Sequence, residues 1–335
     1  MFQRGPVPRM RHGFLSVREY IVICGGSDKG KRKCYKDLWT YNTLSGVWMK
    51  YLLPTQIKNA SAYPIICADQ NLVYIFGAEN IVEGYQEINS LFSFDVKHGK
   101  WERIYYHPRG HDNGIEIIMF SAIFHDNGFM YLMGNGWRNR RLDLIYKFCL
   151  ETLTWSLVVQ IGETPKFKCR FCGTVYKINA TIRGRVVHVF DFTTNIWTKR
   201  STSAYNEQYP PERVFEAYAF SSTCAYMSGG PNPDWSALLL DIWKIDFETL
   251  QWVKLDQSLQ RGLWYHRMSV VQDSYLYHVG SYHEKSRYLN GIERLILRIP
   301  TLFRISFEAV CRSPNSRIYI ASLPETLLMD LNFSN

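Results

Sequence analysis

Arginine and histidine side chains stand directly before several apolar runs of this 335-residue chain. The residues with this placement are Arg9, His12, Arg170, Arg213, His266 and Arg267. The guanidinium group of arginine presents a planar fork of donors that binds a carboxylate through two parallel hydrogen bonds. Brought together by the fold, these side chains would form a basic surface suited to the C-terminal carboxylate of another protein. The net charge of +9 would attract such an acidic group.

The sequence gives little support for metal binding, cofactor binding, catalysis or nucleic-acid binding. The eight cysteines are scattered, and Cys169 and Cys172 form a C-x-x-C motif without the second pair that a zinc site needs. We therefore expect reduced thiols, no metal and no other cofactor. There is no nucleophile elbow and no phosphate-binding glycine loop, which predicts a protein that is not an enzyme. The basic residues are spread along the chain, so they do not predict nucleic-acid binding.

A repeated strand–turn–strand unit is the element that would position the basic residues. An apolar residue lies seven positions before a tryptophan in five places: Tyr41 and Trp48, Phe94 and Trp101, Phe148 and Trp155, Phe190 and Trp197, and Ile245 and Trp252. A turn-forming acid or amide follows the apolar residue in four of them: Asn42, Asp95, Asp191 and Asp246. Bulky and polar residues alternate on both sides of the turn in the clearest copy, which indicates two antiparallel strands.

The spacing of the tryptophans predicts the architecture. Successive tryptophans of these hairpins are 53, 54, 42 and 55 residues apart, close to the period of about 50 residues in kelch repeats, in which each repeat is a four-stranded propeller blade. We predict an all-β fold, a six-bladed kelch β-propeller over residues 6–299. Blade four should be degenerate, with a strand or a long loop removed, because its spacing is short and it has no glycine pair. Blade six should be incomplete, because it lacks the closing tryptophan hairpin.

An incomplete last blade leaves the closure of the ring open. One terminus usually completes the final blade, because an unpaired strand edge exposes backbone donors and acceptors. Only a few residues precede Arg9. The ring would stay imperfectly sealed, or a longer form of the protein would supply the missing strand. In either case the residues before each first strand lie on one rim of the central channel, where the basic side chains would converge.

Composition and hydropathy agree with one large domain outside the membrane. Hydrophobic residues make up 46% of the chain and aromatic residues 15%, enough for a core that needs no disulfide bonds. No run of about 18 apolar residues is present, and the N-terminal residues lack the apolar segment of a signal peptide. We expect a protein of the cytoplasm, the nucleus or both, without membrane contact.

The period of the apolar residues changes after Pro300. Leu302, Ile305, Ser306, Ala309 and Val310 recur at the spacing of one helix face, and Thr301 is a suitable N-cap. After a break at 313–316, a second apolar periodic segment begins at Leu323 and runs to Leu331. We predict a short C-terminal helical pair within residues 300–335.

These two segments resemble the paired boxes of kelch-domain substrate receptors of cullin-2 ubiquitin ligases. The elongin-binding box has a small hydroxyl residue, a leucine, a small residue and an aliphatic residue at fixed spacing, as in the stretch 301–310. The cullin-2 box has an aliphatic residue, a proline and two further aliphatic residues. The matching residues of this chain are Leu323, Pro324, Leu327 and Leu331.

The resemblance implies a substrate-recognition subunit. The propeller would bind the C-terminal degrons of target proteins, and the helices would bind elongin B/C and cullin-2, so that the target is ubiquitinated and degraded by the proteasome. Such receptors tend to place arginine and histidine three residues apart before the first strands. Arg9 and His12 keep this pattern, whereas Glu216 follows Arg213 where histidine is usual. The alternative function is that of a non-ligase kelch scaffold, cytoskeletal or signalling, which would need the propeller but neither box.

Overall fold

The structure is a computed structural model that describes residues 5–28, 33–55, 64–80, 87–106, 118–136, 144–165, 173–176, 178–183, 185–280 and 291–324. These residues form six separate β-sheets, and two short helices follow the last sheet. Each sheet is one blade of a propeller, so the predicted six-bladed all-β fold with a C-terminal helical pair is confirmed.

The strands of the first three blades follow one another in chain order within each sheet. Blade one contains β1 Gly13–Val17, β2 Tyr20–Cys24, β3 Asp37–Asn42 and β4 Val47–Leu52. Blade two contains β5 Ile65–Asp69, β6 Leu72–Asn80, β7 Glu87–Asp95 and β8 Lys100–Tyr106. Blade three contains β9 Ile118–Asp126, β10 Phe129–Gly136, β11 Leu144–Cys149 and β12 Thr154–Leu157.

The last three blades depart from this plan at their edges. Blade four contains β13 Ile161–Gly162, β14 Gly173–Tyr176, β15 Ile178–Arg183, β16 Val186–Asp191 and β17 Ile196–Ser201. Blade five contains β18 Ser203–Ala204, β19 Ala217–Phe220, β20 Cys224–Ser228, β21 Asp241–Asp246 and β22 Gln251–Ser258. Blade six contains β23 Arg267–Val271, β24 Tyr275–Val279 and β25 Ile292–Ile296. The short strands β13 and β18 each pair in parallel with the outermost strand of their blade.

The seven-residue spacing has a direct structural cause. In all five hairpins the apolar residue lies opposite the tryptophan across the antiparallel pair, as Phe94 lies opposite Trp101. The acid or amide after the apolar residue closes the turn, because its side-chain oxygen accepts backbone N–H groups two and three residues on. Asp246, for example, accepts from Glu248 and Thr249 at 3.0 Å. The predicted turn chemistry is confirmed.

The core consists of apolar layers between neighbouring blades. One layer joins Val22 and Leu38 of blade one to Ile75 and Phe94 of blade two, and the other interfaces repeat this arrangement around the ring. Side chains alternate in direction along a strand, so each strand of a blade contributes to the layers on both of its sides.

Blade four has kept its strands, so a lost strand is the wrong explanation of its short spacing. Four antiparallel strands and β13 are present. The shortening lies in the loop between the second and third strands, since β15 ends at Arg183 and β16 begins at Val186. In blades one and five the corresponding loops run over residues 25–36 and 229–240 and begin with a glycine pair. The other half of the prediction, removal of a long loop, agrees with this geometry.

The described residues of blade six form three strands, and the blade packs against blade one. No fourth strand pairs with β25 in the described part of the chain. Ile21 of blade one and Tyr277 of blade six lie in one buried cluster. The Oγ atom of Ser269 donates to that of Ser16 at 2.7 Å, which joins β23 to β1. Blade six therefore contacts blade one as the other blades contact their neighbours.

The helices are α1 Leu302–Arg312 and α2 Ser316–Ala321. Thr301 is the N-cap of α1, and its side chain accepts the backbone N–H of Arg304 at 3.2 Å, as expected. Helix α2 lies before Leu323, and the predicted second segment from Leu323 to Leu331 lies, after residue 324, outside the described residues. Of the described helices, neither is long and apolar enough to cross a membrane.

The order of strands gives the propeller two distinct faces. In an antiparallel sheet, the turn between strands one and two lies at the same end as the turn between strands three and four. We call this end the hairpin face. The loops between strands two and three and the connections between blades lie at the opposite end, which we call the loop face. The residues before each first strand are therefore on the loop face.

Candidate partner-binding surfaces

The lead-in segment, the four or five residues directly before the first strand, has the same backbone geometry in three blades. One residue of it is left-handed in each case: Arg11 with φ 60°, Phe215 with φ 59° and Tyr265 with φ 56°. In blades one and five, the second glycine of the blade's glycine pair lies close to the backbone of this segment. A methyl group on Gly26 would lie 2.6 Å from the carbonyl oxygen of Met10, so the close backbone approach requires glycine there.

The guanidinium of Arg9 is buried on the loop face, with its side chain 3% exposed. Its Nη1 atom donates to Oδ1 of Asp37 at 2.5 Å and to the carbonyl oxygen of Gly25 at 3.0 Å. Burial opposes ionisation of Asp37, but the hydrogen bond and charge of Arg9 outweigh it and lower the pKa of that carboxyl group. The pair ties the lead-in segment to the start of β3.

Arg213 repeats this arrangement in blade five. Its side chain is 2% exposed, and its Nη1 atom lies 3.0 Å from Oδ1 of Asp241 at the start of β21. Nη1 also donates to the carbonyl oxygen of Gly229 at 3.3 Å. The indole N–H of Trp243 donates to the same carboxylate at 2.5 Å. Burial opposes ionisation of Asp241, but the hydrogen bonds and charge lower its pKa below the ordinary value.

The histidines of the lead-in segments lie between blades. His266 is 1% exposed, and its Nε2 atom is 3.0 Å from Oγ of Ser228 in the preceding blade. A methyl group on Gly229 would lie 2.4 Å from Cε1 of His266. His12 of blade one is buried in the same way beside Gly280 of blade six. Burial lowers the pKa of His266 to about 3, helped by His278 and Arg267, so its imidazole is neutral at pH 7.

In the structure, most of the predicted degron-binding residues have a structural role in the propeller. The side chains of Arg9, His12, Arg213 and His266 are buried between or within the blades, where they contact neighbouring loops and blades. Sequence reasoning missed the partners Asp37 and Asp241, although both stand two residues before a tryptophan at the start of a third strand. Arg267 is half-buried at the first position of β23. Arg170 lies outside the described residues.

One side of α1 is docked on the hairpin face at the seam between blades six and one. Phe307 and Cys311 pack on Leu44 of the β3–β4 turn. The buried guanidinium of Arg304 donates to Oγ1 of Thr43 at 2.9 Å and to Oε1 of Gln272 at 3.2 Å. These contacts place the helix beside blade six, of which the structure describes three strands.

A shared carboxylate completes the docked side. Oε1 of Glu308 is 2.7 Å from Nη1 of Arg294 on β25 and 2.8 Å from Nη2 of Arg312 on the same helix. Arg312 also donates to the carbonyl oxygens of Thr43 and Leu44, at 3.1 and 3.0 Å. Since these partners belong to blades one and six, the helix bridges the ring closure with charge-assisted hydrogen bonds.

The other side of α1 exposes apolar residues. Leu302 is 78% exposed and Ile305 is 47% exposed, and Ser306 and Ala309 are exposed beside them. Val310 is half-buried. Phe303, which sequence reasoning did not single out, is 53% exposed and enlarges the same surface. Four of the residues that match the elongin-binding box thus face solvent: Leu302, Ile305, Ser306 and Ala309.

The segment after α2 holds the start of the second box. Leu323 is half-buried against the cluster that contains Leu44 and Phe307, and Pro324 is exposed. Leu327 and Leu331 lie outside the described residues. Together with α1, this segment lies on the hairpin face, whereas the lead-in segments lie on the loop face, so the two predicted binding regions are at opposite ends of the propeller.

No group of three or more His, Cys, Asp and Glu side chains is placed to hold a metal ion in the described ranges. Six cysteines of those ranges are free thiols: Cys24, Cys34, Cys67, Cys149, Cys224 and Cys311. Cys169 and Cys172 lie outside them.

Six blades with repeated hairpin tryptophans, and with glycine pairs close to the lead-in segments of blades one and five, define a kelch-repeat β-propeller, a class of protein suited to protein–protein interaction. Residues 2–184 match the model of the KLHDC2/KLHL20/DRC7 Kelch-repeats domain. Because the match covers more than half of the chain, the protein belongs to this kelch-repeat family.

Several curated proteins are similar over most of the chain. Kelch domain-containing protein 10 of Rattus norvegicus is 22% identical, and the match covers 92% of this chain and 77% of the relative. The Homo sapiens protein of the same name is 23% identical, with 92% and 72% covered. Host cell factor 2 of Homo sapiens is 24% identical over 80% of this chain and 30% of its own length. The resemblance to kelch-domain proteins is thereby confirmed.

Proposed function

We propose that this protein is the substrate-recognition subunit of a cullin-2 RING ubiquitin ligase, and that its propeller binds C-terminal degrons of proteins destined for proteasomal degradation. The observation that carries the proposal is the divided surface of α1. The helix is docked through Phe307 and Glu308, while the box residues Leu302 and Ile305 face solvent. In this function the chain is not catalytic and acts in the cytoplasm, the nucleus or both.

The exposed apolar side of α1 is a suitable contact for elongin B/C. Removing the side chains of Leu302 and Ile305 from water would stabilise a complex by about 1.5 to 3 kcal/mol each. Docking holds the helix in one orientation, so little conformational entropy remains to be lost on binding. Cullin-2 would contact the segment that begins at Leu323 and Pro324 and continues to Leu327 and Leu331.

The loop face is the surface that we propose for the substrate. Its location at the opposite end from α1 would leave a bound target free of the ligase subunits. With Arg9 and Arg213 paired to aspartates, a C-terminal carboxylate would be bound by Arg267 and Arg170, inside a framework that His12 and His266 help to hold. The framework residues then act on binding only through the loops they position.

Leu302→Asp tests the proposal. We expect the purified variant to bind elongin B/C at least tenfold more weakly, since 1.4 kcal/mol corresponds to a factor of ten, and to melt at the temperature of the unchanged protein. Ile299→Asp is the matched control, because Ile299 is 89% exposed but precedes the box; it should bind normally. Undiminished binding of Leu302→Asp would contradict the proposal and favour the non-ligase kelch scaffold.

Amidation of a substrate peptide tests the loop face. A peptide with a free C-terminal carboxylate should bind more tightly than its amidated form, and Arg267→Gln should remove the difference. Equal binding of the two peptides to the unchanged protein would contradict carboxylate recognition while leaving the elongin contact untouched.

A further inference from the structure

Four aromatic side chains meet on the loop face at the junction of blades five and six. Phe215 comes from the lead-in segment of blade five, Trp235 from the loop between β20 and β21, and Trp264 and Tyr265 from the lead-in segment of blade six. Ring centroids are 4.2 Å apart for Phe215 and Tyr265, and 5.2 Å apart for Trp235 and Trp264, whose planes are perpendicular. We call these four residues the aromatic platform.

The platform is held in place by hydrogen bonds of the backbone and of the Asn232 side chain. The N–H of Tyr265 donates to the carbonyl oxygen of Phe215 at 3.1 Å, which joins the two lead-in segments. In the loop that carries Trp235, the side chain of Asn232 donates to Oγ of Ser236 at 2.7 Å and accepts the N–H of Ala237 at 2.9 Å. Trp235 is nevertheless 53% exposed and has a left-handed backbone with φ 61°. An ordered loop thus displays a large apolar ring to solvent.

Two acidic residues adjoin the platform residues in the chain, Asp234 and Glu216. Asp234 precedes Trp235 and is fully exposed, and the backbone N–H of Ser236 donates to its carboxylate at 3.0 Å. Glu216 follows Phe215 in the chain. The nearby cation Arg213 is already paired with Asp241, at 3.0 Å. A positively charged ligand group therefore suits this part of the loop face better than a carboxylate does.

The ring geometry selects among positively charged groups. A quaternary ammonium ion is usually enclosed by several aromatic faces, but rings whose centroids lie 4.2 to 6.2 Å apart leave no space between them. A ligand must lie on an outer ring face. The guanidinium of arginine is planar, weakly hydrated and stacks flat on an aromatic ring.

We propose that the aromatic platform binds an arginine side chain of a protein partner, with its guanidinium stacked on the exposed face of Trp235 and its charge next to the carboxylate of Asp234. This chemistry is distinct from recognition of a C-terminal carboxylate and does not rest on the ligase function. In this proposal, a basic segment of the partner binds at the junction of blades five and six.

A peptide of repeated Arg-Gly-Gly units, acetylated at its N-terminus and amidated at its C-terminus, is the probe. Because the probe has no terminal carboxylate, its binding is independent of the carboxylate test above. Fluorescence anisotropy of a labelled probe gives the affinity. Trp235→Ala should bind about five- to tenfold more weakly, as expected for loss of one cation–π contact, and Trp235→Phe should retain most of the affinity. Asp234→Asn should weaken binding by about two- to threefold at low salt.

The controls separate stacking from general attraction. Tyr205→Ala removes another aromatic side chain of blade five, 57% exposed, and should leave probe binding unchanged. A probe with citrulline in place of arginine keeps the planar shape but loses the charge and should bind poorly, and a lysine probe should bind more weakly than the arginine probe. Unchanged binding by a folded Trp235→Ala variant, or equal binding of the citrulline or lysine probe, would overturn the proposal.

Discussion

The loop face and the outer side of α1 differ in which side chains are buried: charged side chains are buried on the loop face, whereas apolar side chains are exposed on α1. On the loop face, Arg9 and Arg213 are buried against aspartates, so their charges are already satisfied. On α1, Leu302 and Ile305 remain in contact with water although the other side of the helix is docked. A buried charge that is paired holds the framework of the propeller together. An exposed apolar group can stabilise a complex, because a partner that covers it removes its surface from water.

The largest expected effect comes from breaking a buried ion pair. Asp37→Ala leaves the guanidinium of Arg9 buried without its carboxylate and should lower the free energy of unfolding by about 3 to 5 kcal/mol, measured by urea denaturation. The double variant Arg9→Met/Asp37→Leu should recover most of this loss, because no unpaired charge remains. A single variant as stable as the unchanged protein would show that Arg9 is not part of the framework.

Phe307→Ala should have the next largest effect, on the docked side of α1. The substitution leaves a cavity against Leu44 and Cys311 and should reduce the free energy that holds the helix to the propeller by about 3 kcal/mol. Hydrogen exchange of the α1 amides measures this local opening. Protection that stays at its original level would mean that the polar contacts of Arg304 and Glu308 hold the helix without Phe307.

The buried His266 should make stability depend on pH. Its folded pKa of about 3 lies below the ordinary value of about 6.5, so the unfolded chain binds the proton first. The contribution is present above pH 6.5 and is lost as the pH falls, by about 2 kcal/mol between pH 6.5 and 5. The lowered pKa values of Asp37 and Asp241 act only at more acidic pH.

His266→Gln is the variant that isolates this dependence. Thermal unfolding between pH 5 and 7 should show a smaller loss for the variant than for the unchanged protein, and His278 accounts for part of what remains because burial lowers its pKa as well. Identical pH profiles would show that His266 takes up its proton in the folded protein, contrary to its burial between blades.

Leu302→Ala should have the smallest effect on stability. The side chain is mostly exposed and alanine favours the helix, so the free energy of unfolding should change by less than about 0.5 kcal/mol. Comparison with Phe307→Ala on the same helix measures the difference between its two sides. A loss similar to that of Phe307→Ala would mean that the outer side of α1 is covered within the folded chain.

Local patterns predicted the repeated elements of this protein. The distance from Phe94 to Trp101, or from Ile245 to Trp252, is set by a two-stranded hairpin whose turn is closed by Asp95 or Asp246, so the interaction is complete within about eight residues. The N-cap at Thr301 is local in the same sense. Periods, turns and caps of this kind were enough to predict the six blades and the first helix.

Contacts between distant residues decided the roles of the candidate site residues. Arg9 meets Asp37 only after the glycine loop has folded, and Ser16 meets Ser269 only when the ring has closed. The spacing of apolar residues on α1 predicted one partner-facing side, but the propeller selected Phe307 and Cys311 for burial and left Leu302 exposed. Sequence periodicity therefore determined which strands and helices form. The tertiary structure determined which side chains remain exposed to a partner, because the burial of a side chain depends on which residues from distant parts of the chain pack against it.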